Sequence, residues 1–151
     1  LKDLAEFRKN IIAPVAGSEA LGTALWYRDA LALDAIDYMH YDLGWIGGIS
    51  EAIKISGIAH ANNRMMCPHD CTGPIVWIAN LHISLAFSNS MILESVRSYY
   101  NGFYKNLVNN LPRIDKGLAF PMDGVGLGTD LQDSLLKSPN TIIRKTTKND
   151  L

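Results

Sequence analysis

The stretch that decides the fold is residues 36–74, IDYMHYDLGWIGGISEAIKISGIAHANNRMMCPHDCTGP. It opens on a β-branched and aromatic run, residues 36–41, which stops at Asp42 and the glycine-rich Gly44-Trp45-Ile46-Gly47-Gly48. Ser50 follows as an N-cap for a helix in which Ala52, Ile55, Ile58 and Ala59 share one face. A second short apolar run, Met65-Met66-Cys67, closes at Pro68-His69. Gly73-Pro74 then starts another helix, with proline in the first turn, where a missing N–H is tolerated.

The same alternation extends in both directions. Residues 11–15 are a short apolar run interrupted by Pro14, and residues 23–33 read as a helix with Leu25, Leu31 and Ala32 among its apolar positions. The helix begun at Pro74 continues to Phe87, and Met91-Ile92-Leu93 is a fourth strand ending at Glu94. The order β-α-β-α-β-α-β predicts an α/β fold with a parallel sheet and helical crossovers. Each strand ends at one ionisable residue: Glu19, Asp42, His69 and Glu94, separated by 23, 27 and 25 residues. A (β/α)₈ barrel of about 250 residues spends roughly 30 on each unit, so the spacing suits consecutive barrel units. Strand ends of a barrel converge on one mouth, and three carboxylates around a histidine there form an acid–base and metal constellation. A doubly wound sheet gives the same alternation but gathers four successive strand ends less readily.

Beyond Glu94 the pattern changes. Residues 99–109 read as helical until Leu111-Pro112 stops them. Short apolar runs at 118–120 and 141–143 flank Gly124-Val125-Gly126-Leu127-Gly128, which reads as an arm and not as another barrel unit.

With 151 residues, 48% apolar and 19% charged, the chain fits one globular domain. A net charge of −1 lacks the electrostatic footprint of a protein that binds DNA, RNA or an anionic membrane. The most apolar region, residues 75–87, is interrupted by Asn80, His82 and Ser84, so no bilayer span is expected. Leu1-Lys2-Asp3-Leu4 is neither a signal nor a transit peptide, and without an initiator methionine the chain reads as starting inside a longer protein. Cys67 and Cys71 cannot build a disulfide framework, which suits a reducing, cytoplasmic setting. Nor do they suit structural zinc, because no second cysteine pair exists.

Taken singly, each candidate has an ordinary reading. Glu19 after Gly17-Ser18 is a solvated loop glutamate, Asp42 before Gly44 a turn aspartate, His69 after Pro68 a loop histidine, and Glu94 a strand-end partner for Arg97. His40, two residues before Asp42, points to the same side of a strand and reads as a buried, hydrogen-bonded histidine. Trp45 either touches substrate or covers the rim, and Asp70 either aids specificity or caps the turn before Gly73-Pro74.

Together, Pro14-Val15-Ala16-Gly17-Ser18-Glu19, Asp42 to Glu51, Pro68-His69-Asp70-Cys71-Thr72-Gly73-Pro74, Ile92-Leu93-Glu94 and the late Gly126-Leu127-Gly128 resemble the enolase superfamily. The likeness is to its mandelate racemase/muconate lactonizing enzyme family, in particular the acid-sugar dehydratase branch. Val125 stands where that family often has proline before Gly-Leu-Gly. The resemblance implies the C-terminal half, strands five to eight, of a TIM-type (β/α)₇β barrel in residues 1–110. It implies that residues 111–151 are an arm returning toward a capping domain outside this chain. Glu19 then matches a Mg²⁺-binding carboxylate, with two further ligands and a Lys-x-Lys motif expected upstream. Asp42 and His69 match a dyad in which imidazole moves the proton α to a carboxylate and the aspartate orients it. Glu94 matches a carboxyl group that lies near the substrate carboxylate and donates to developing negative charge when protonated.

The implied parent is a Mg²⁺-dependent hydro-lyase that removes the α-proton of an acid sugar and eliminates water to give a 2-keto-3-deoxy acid. Its partner is a small-molecule carboxylate, not nucleic acid or membrane, and it is expected to be a homo-oligomer. Two alternatives stay open: a racemase or epimerase using the same dyad with an opposing lysine, and a non-catalytic fragment or interaction piece.

Overall fold

The structure is a computed structural model that describes residues 1–148. Three short strands, β1 (Ala16–Gly17), β2 (Tyr38–Met39) and β3 (Met65–Met66), pair in parallel in the order β1-β2-β3. Their register aligns Gly17 with Met39 and Met39 with Met66. The crossovers are α2 (Ala24–Ala32), then a short α3 (Leu43–Ile46) followed by α4 (Ile49–Ala61). After β3 comes α5 (Pro74–Ala86). The chain begins with α1 (Lys2–Lys9), which sequence reading left unassigned. Its signals are Leu1, Leu4 and Ala5 on one face, Asp3 in the first turn, and Arg8 and Lys9 in the last, which suit the helix dipole.

The ladders are narrower than the expected apolar runs. β1 starts after residues 11–15 because Pro14 has no N–H to give a partner. The Val15 carbonyl does join, accepting from the Asp37 and Tyr38 amides at 2.7 and 3.2 Å. The fourth strand, expected at 91–93, is reduced to a parallel bridge between Ser90 and Met66. Its backbone still follows β3, with the Met91 amide on the Met66 carbonyl at 2.9 Å and the Glu94 amide on the Pro68 carbonyl at 3.0 Å. Pro68 cannot donate in return, so the ladder ends there.

Other boundaries move for local reasons. The α4 N-cap is Gly48 at φ +83, not Ser50. The helix expected at 99–109 breaks into α6 (Arg97–Asn101) and a 3₁₀ turn (Phe103–Asn106). Gly102 sits at the break, where a Cβ would lie 2.5 Å from the Ser98 carbonyl oxygen. A hairpin follows, β4 (Arg113–Asp115) against β5 (Leu118–Phe120), and then α7 (Asp133–Leu136). Residues 141–143 form no strand, and 149–151, the end of the expected arm, lie outside the described residues.

Two apolar clusters hold these elements together. The larger contains the fully buried Tyr27, Ile36, Met39, Tyr41, Ile55 and Met66, with Ala30, Ala52 and Ala59 as small residues that let helices approach the sheet. The smaller is centred on Trp77, which stacks on Tyr100 at 5.6 Å and donates its indole N–H to Ser95 at 2.9 Å. Leu127 packs against both clusters, carried by a turn in which Gly126 and Gly128 adopt φ of +65 and +75.

Where the strands start, Arg8 pairs with Asp34 and Asp37, each at 2.6 Å, and Arg64 pairs with Asp34. The hydrogen bond from Arg8 holds the Asp37 carboxyl below its usual range. This charge network lies at the opposite end of the strands from Glu19, Asp42 and His69. Among the described residues, no helix is long and apolar enough to cross a membrane.

Two isoleucines on α4 test the packing. Ile55→Ala deletes a fully buried side chain and is expected to lower the free energy of unfolding by about 2–5 kcal/mol. Ile53→Ala, at a position 47% exposed on the same helix, is expected to stay within about 0.5 kcal/mol of wild type. Equal losses in urea denaturation would refute this assignment of the core.

Candidate active site

The backbone pattern of the ladders continues past their ends, and it carries the candidate side chains. The His40 amide donates to the Gly17 carbonyl and the Asp42 amide to the Glu19 carbonyl, at 3.1 and 3.3 Å. The His69 amide donates to the Tyr41 carbonyl at 2.9 Å, and the Glu94 amide bond to Pro68 completes the series. Asp42, His69 and Glu94 are therefore each tied to the preceding strand segment. Tyr27, fully buried, links the first two strand ends by donating its hydroxyl to the carbonyls of Ser18 and His40 at 2.8 and 3.0 Å.

Asp42 is completely buried, and both of its oxygens are occupied. Oδ1 accepts from the Gly44 amide at 2.7 Å, making Asp42 the N-cap of α3. Oδ2 lies 2.8 Å from His69 Nδ1, and the Thr72 hydroxyl reaches Oδ1 and Oδ2 at 3.1 and 3.0 Å. Such a carboxylate needs full satisfaction to be tolerated away from water. Asp42 is thus at once a turn aspartate and the hydrogen-bond partner of His69. On the far side of the ring, His69 Nε2 faces Glu19 Oε2 at 3.8 Å and Glu94 Oε2 at 3.9 Å. The buried Asn80 donates to the His69 carbonyl at 3.0 Å, and Trp45, half exposed, lies over the ring with centroids 5.6 Å apart.

Glu19, Asp42, His69 and Glu94 are thus brought together. Glu94 pairs with His40, its Oε2 lying 3.0 Å from His40 Nε2, and not with Arg97. His40 is hydrogen-bonded as expected and also lies 3.7 Å from Glu19. Sequence reading missed Thr72 as a ligand of Asp42, although it stands in the quoted Pro68–Pro74 motif. Asp70 neither caps the turn nor faces the cluster. Its oxygens accept from the Val96 amide at 2.9 Å and the Tyr104 hydroxyl at 2.8 Å, anchoring the following segment.

The oxygens of Glu19 and the nitrogens around them suit a hard cation only in part. The Glu19 side chain is 46% exposed and, among the described residues, its carboxyl group makes no hydrogen bond, so it can serve as one carboxylate ligand of Mg²⁺. Ligand atoms of Asp42, His69 and Cys71 also lie within 4.8 Å of one another. The Asp42 oxygens there already accept from Gly44, His69 and Thr72, and three ligand residues fall short of the four that structural zinc takes.

The parallel α/β scaffold thus buries a histidine–aspartate pair at its strand ends and turns the free ring nitrogen toward two carboxylates. The chain belongs to the family described as enolase C-terminal domain-like, which it matches over residues 1–135. It is 29% identical over 133 residues to an arabinonate dehydratase of Saccharolobus solfataricus, covering 88% of this chain and 35% of that protein. With a D-galactonate dehydratase of Verminephrobacter eiseniae it shares 30% identity over 82% of this chain and 34% of the relative. Among solved structures, an enolase of the mandelate racemase subgroup from Agrobacterium tumefaciens matches with a TM-score of 0.83 and 37% identity, over 90% of this chain and 36% of that one. An enolase protein from the Sargasso Sea environmental genome matches with a TM-score of 0.86 and 35% identity, over 96% and 38%. The chain spans about a third of the length of the curated relatives it matches.

Asp70 gives a pH test of how the following segment is held. Burial raises its carboxyl above the ordinary 3.8, against the pull of the Val96 amide and Tyr104 hydroxyl. The folded chain keeps this proton where the unfolded chain has lost it, so the contribution is full below 3.8 and fades as pH rises through the folded value. Wild type minus Asp70→Asn should show an unfolding free energy that declines over that window; a flat difference would count against it.

Proposed function

We propose that this chain is the C-terminal half of a (β/α)₇β barrel, residues 1–110 with an arm from 111 onward, belonging to a Mg²⁺-dependent acid-sugar dehydratase. The observation that carries the reading is the buried Asp42–His69 pair, at 2.8 Å, whose Nε2 is left facing Glu19 and Glu94. The similarity to arabinonate and D-galactonate dehydratases supports an aldonate-like substrate.

In this reading, Glu19 is one ligand of Mg²⁺, the others coming from the part of the protein outside this chain. Bound Mg²⁺ supplies the Lewis acidity that makes a proton α to a carboxylate removable. His69 Nε2 takes that proton, and Asp42, accepting from Nδ1, fixes the tautomer and stabilises the imidazolium. Glu94 lies where a substrate carboxylate gathers negative charge and, protonated, donates to it. The imidazolium then returns its proton to a departing β-hydroxyl, so that water leaves and a 2-keto-3-deoxy acid remains. Trp45 and Thr72 keep the ring and its partner in place. The likeness to structures of the mandelate racemase subgroup supports a second reading, racemisation or epimerisation by the same dyad.

The test uses the full-length protein with D-galactonate and arabinonate. His69→Asn should slow exchange of the α-proton with solvent deuterium by about 10²–10⁴ or more, with Mg²⁺ affinity nearly unchanged. Asp42→Asn should be less damaging but still severe. Exchange at the wild-type rate in His69→Asn would remove His69 as the base. Release of a 2-keto-3-deoxy acid favours dehydration, and inverted substrate without loss of water favours the second reading.

A further inference from the structure

We propose that His40 is a positioning residue for Glu94, an inference that rests on the role proposed for Glu94 above. Glu94 has a long side chain that is 42% exposed, and among the described residues its carboxyl group makes one hydrogen bond, to His40. A carboxylate so exposed keeps its rotamer freedom unless a fixed partner removes it. His40 is such a partner. Its backbone amide is bonded to Gly17, its carbonyl accepts from the buried Tyr27, and its ring meets the His69 ring edge to face at 5.3 Å.

The direction of the bond follows from the chemistry. A carboxylate oxygen accepts, so His40 Nε2 carries the hydrogen and donates across 3.0 Å to Glu94 Oε2. Nδ1 lies on the side of Glu19, 3.7 Å away. Oε2, fixed by His40, lies 3.9 Å from His69 Nε2, and Oε1 is the oxygen left for a ligand. One imidazole thereby sets the distance between Glu94 and the dyad, and it does so from a strand end whose register is locked. The placement also explains a sequence feature that the dyad does not use: His40 shares the side of the strand with Asp42, one pleat repeat earlier.

Two measurements on the full-length protein test this. The first reads the contact without turnover: long-range ¹⁵N–¹H spectra of histidine-labelled protein should show His40 as the Nε2–H tautomer, with that proton shifted in Glu94→Gln. An Nδ1–H tautomer, or no response to Glu94→Gln, overturns the proposal. The second is kinetic, with D-galactonate and arabinonate as probes. His40→Leu should lower kcat about 10–100-fold with little change in KM, Mg²⁺ affinity or melting temperature. His40→Gln, whose amide can donate from a similar position, should recover most of the loss. Because His40 acts through Glu94, His40→Leu combined with Glu94→Gln should be no slower than Glu94→Gln alone. Multiplying losses, or a His40→Leu protein as fast as wild type, would refute the role. If wild type leaves both aldonates unchanged, the dehydratase reading fails, and the spectra alone decide whether His40 holds Glu94.

Discussion

Parallel hydrogen bonding between consecutive strand segments is the constraint on which the site depends. Each of Asp42, His69 and Glu94 gives its amide hydrogen to a carbonyl of the segment before it, from Glu19, Tyr41 and Pro68 respectively. Residues more than twenty positions apart in sequence thereby become neighbours at one end of the sheet. No loop has to find its place independently. The crossovers α2 and α4 need only return the chain to the same end each time, and their alanines allow them to lie close to the strands.

That arrangement separates two kinds of electrostatics. At the start of the strands, Arg8 and Arg64 neutralise Asp34 and Asp37 in a partly exposed network that ties α1 to the sheet. At the other end the carboxylates face histidines, and both oxygens of the fully buried Asp42 are held, by Gly44, His69 and Thr72. The consequence is a buried, held partner behind His69, with Glu19 and the His40-bonded Glu94 in front of it. A fixed rear suits the role proposed for His69, a group that keeps one tautomer while its outer nitrogen exchanges a proton.

Much of this was legible because the sequence repeats a pattern. The alternation of short apolar runs with helical stretches predicted a parallel α/β order, and equal spacing picked out Glu19, Asp42, His69 and Glu94. Strand lengths were overread, since runs such as 11–15 and 91–93 are apolar in composition yet largely exposed and unpaired here, while Pro14 and Pro68 control which amides can pair. The α6 break was missed because Gly102 avoids a contact with the Ser98 carbonyl that any Cβ would make, which no periodicity shows. Thr72 and the His40–Glu94 bond were invisible as partnerships, because each joins residues 30 or 54 positions apart. Asp70 stands beside His69 in sequence, yet its side chain turns away to Val96 and Tyr104, a direction that adjacency alone does not reveal.

The Gly126-Leu127-Gly128 turn has a consequence for how the molecule comes apart. Two glycines in left-handed conformations project one leucine into the seam where the sheet's cluster meets the Trp77 cluster. Leu127 is therefore a shared tooth between two apolar bodies. A fluctuation that peels the 124–128 turn away strips Leu127 from both clusters at once, so the late segment and the sheet belong to one cooperative unit.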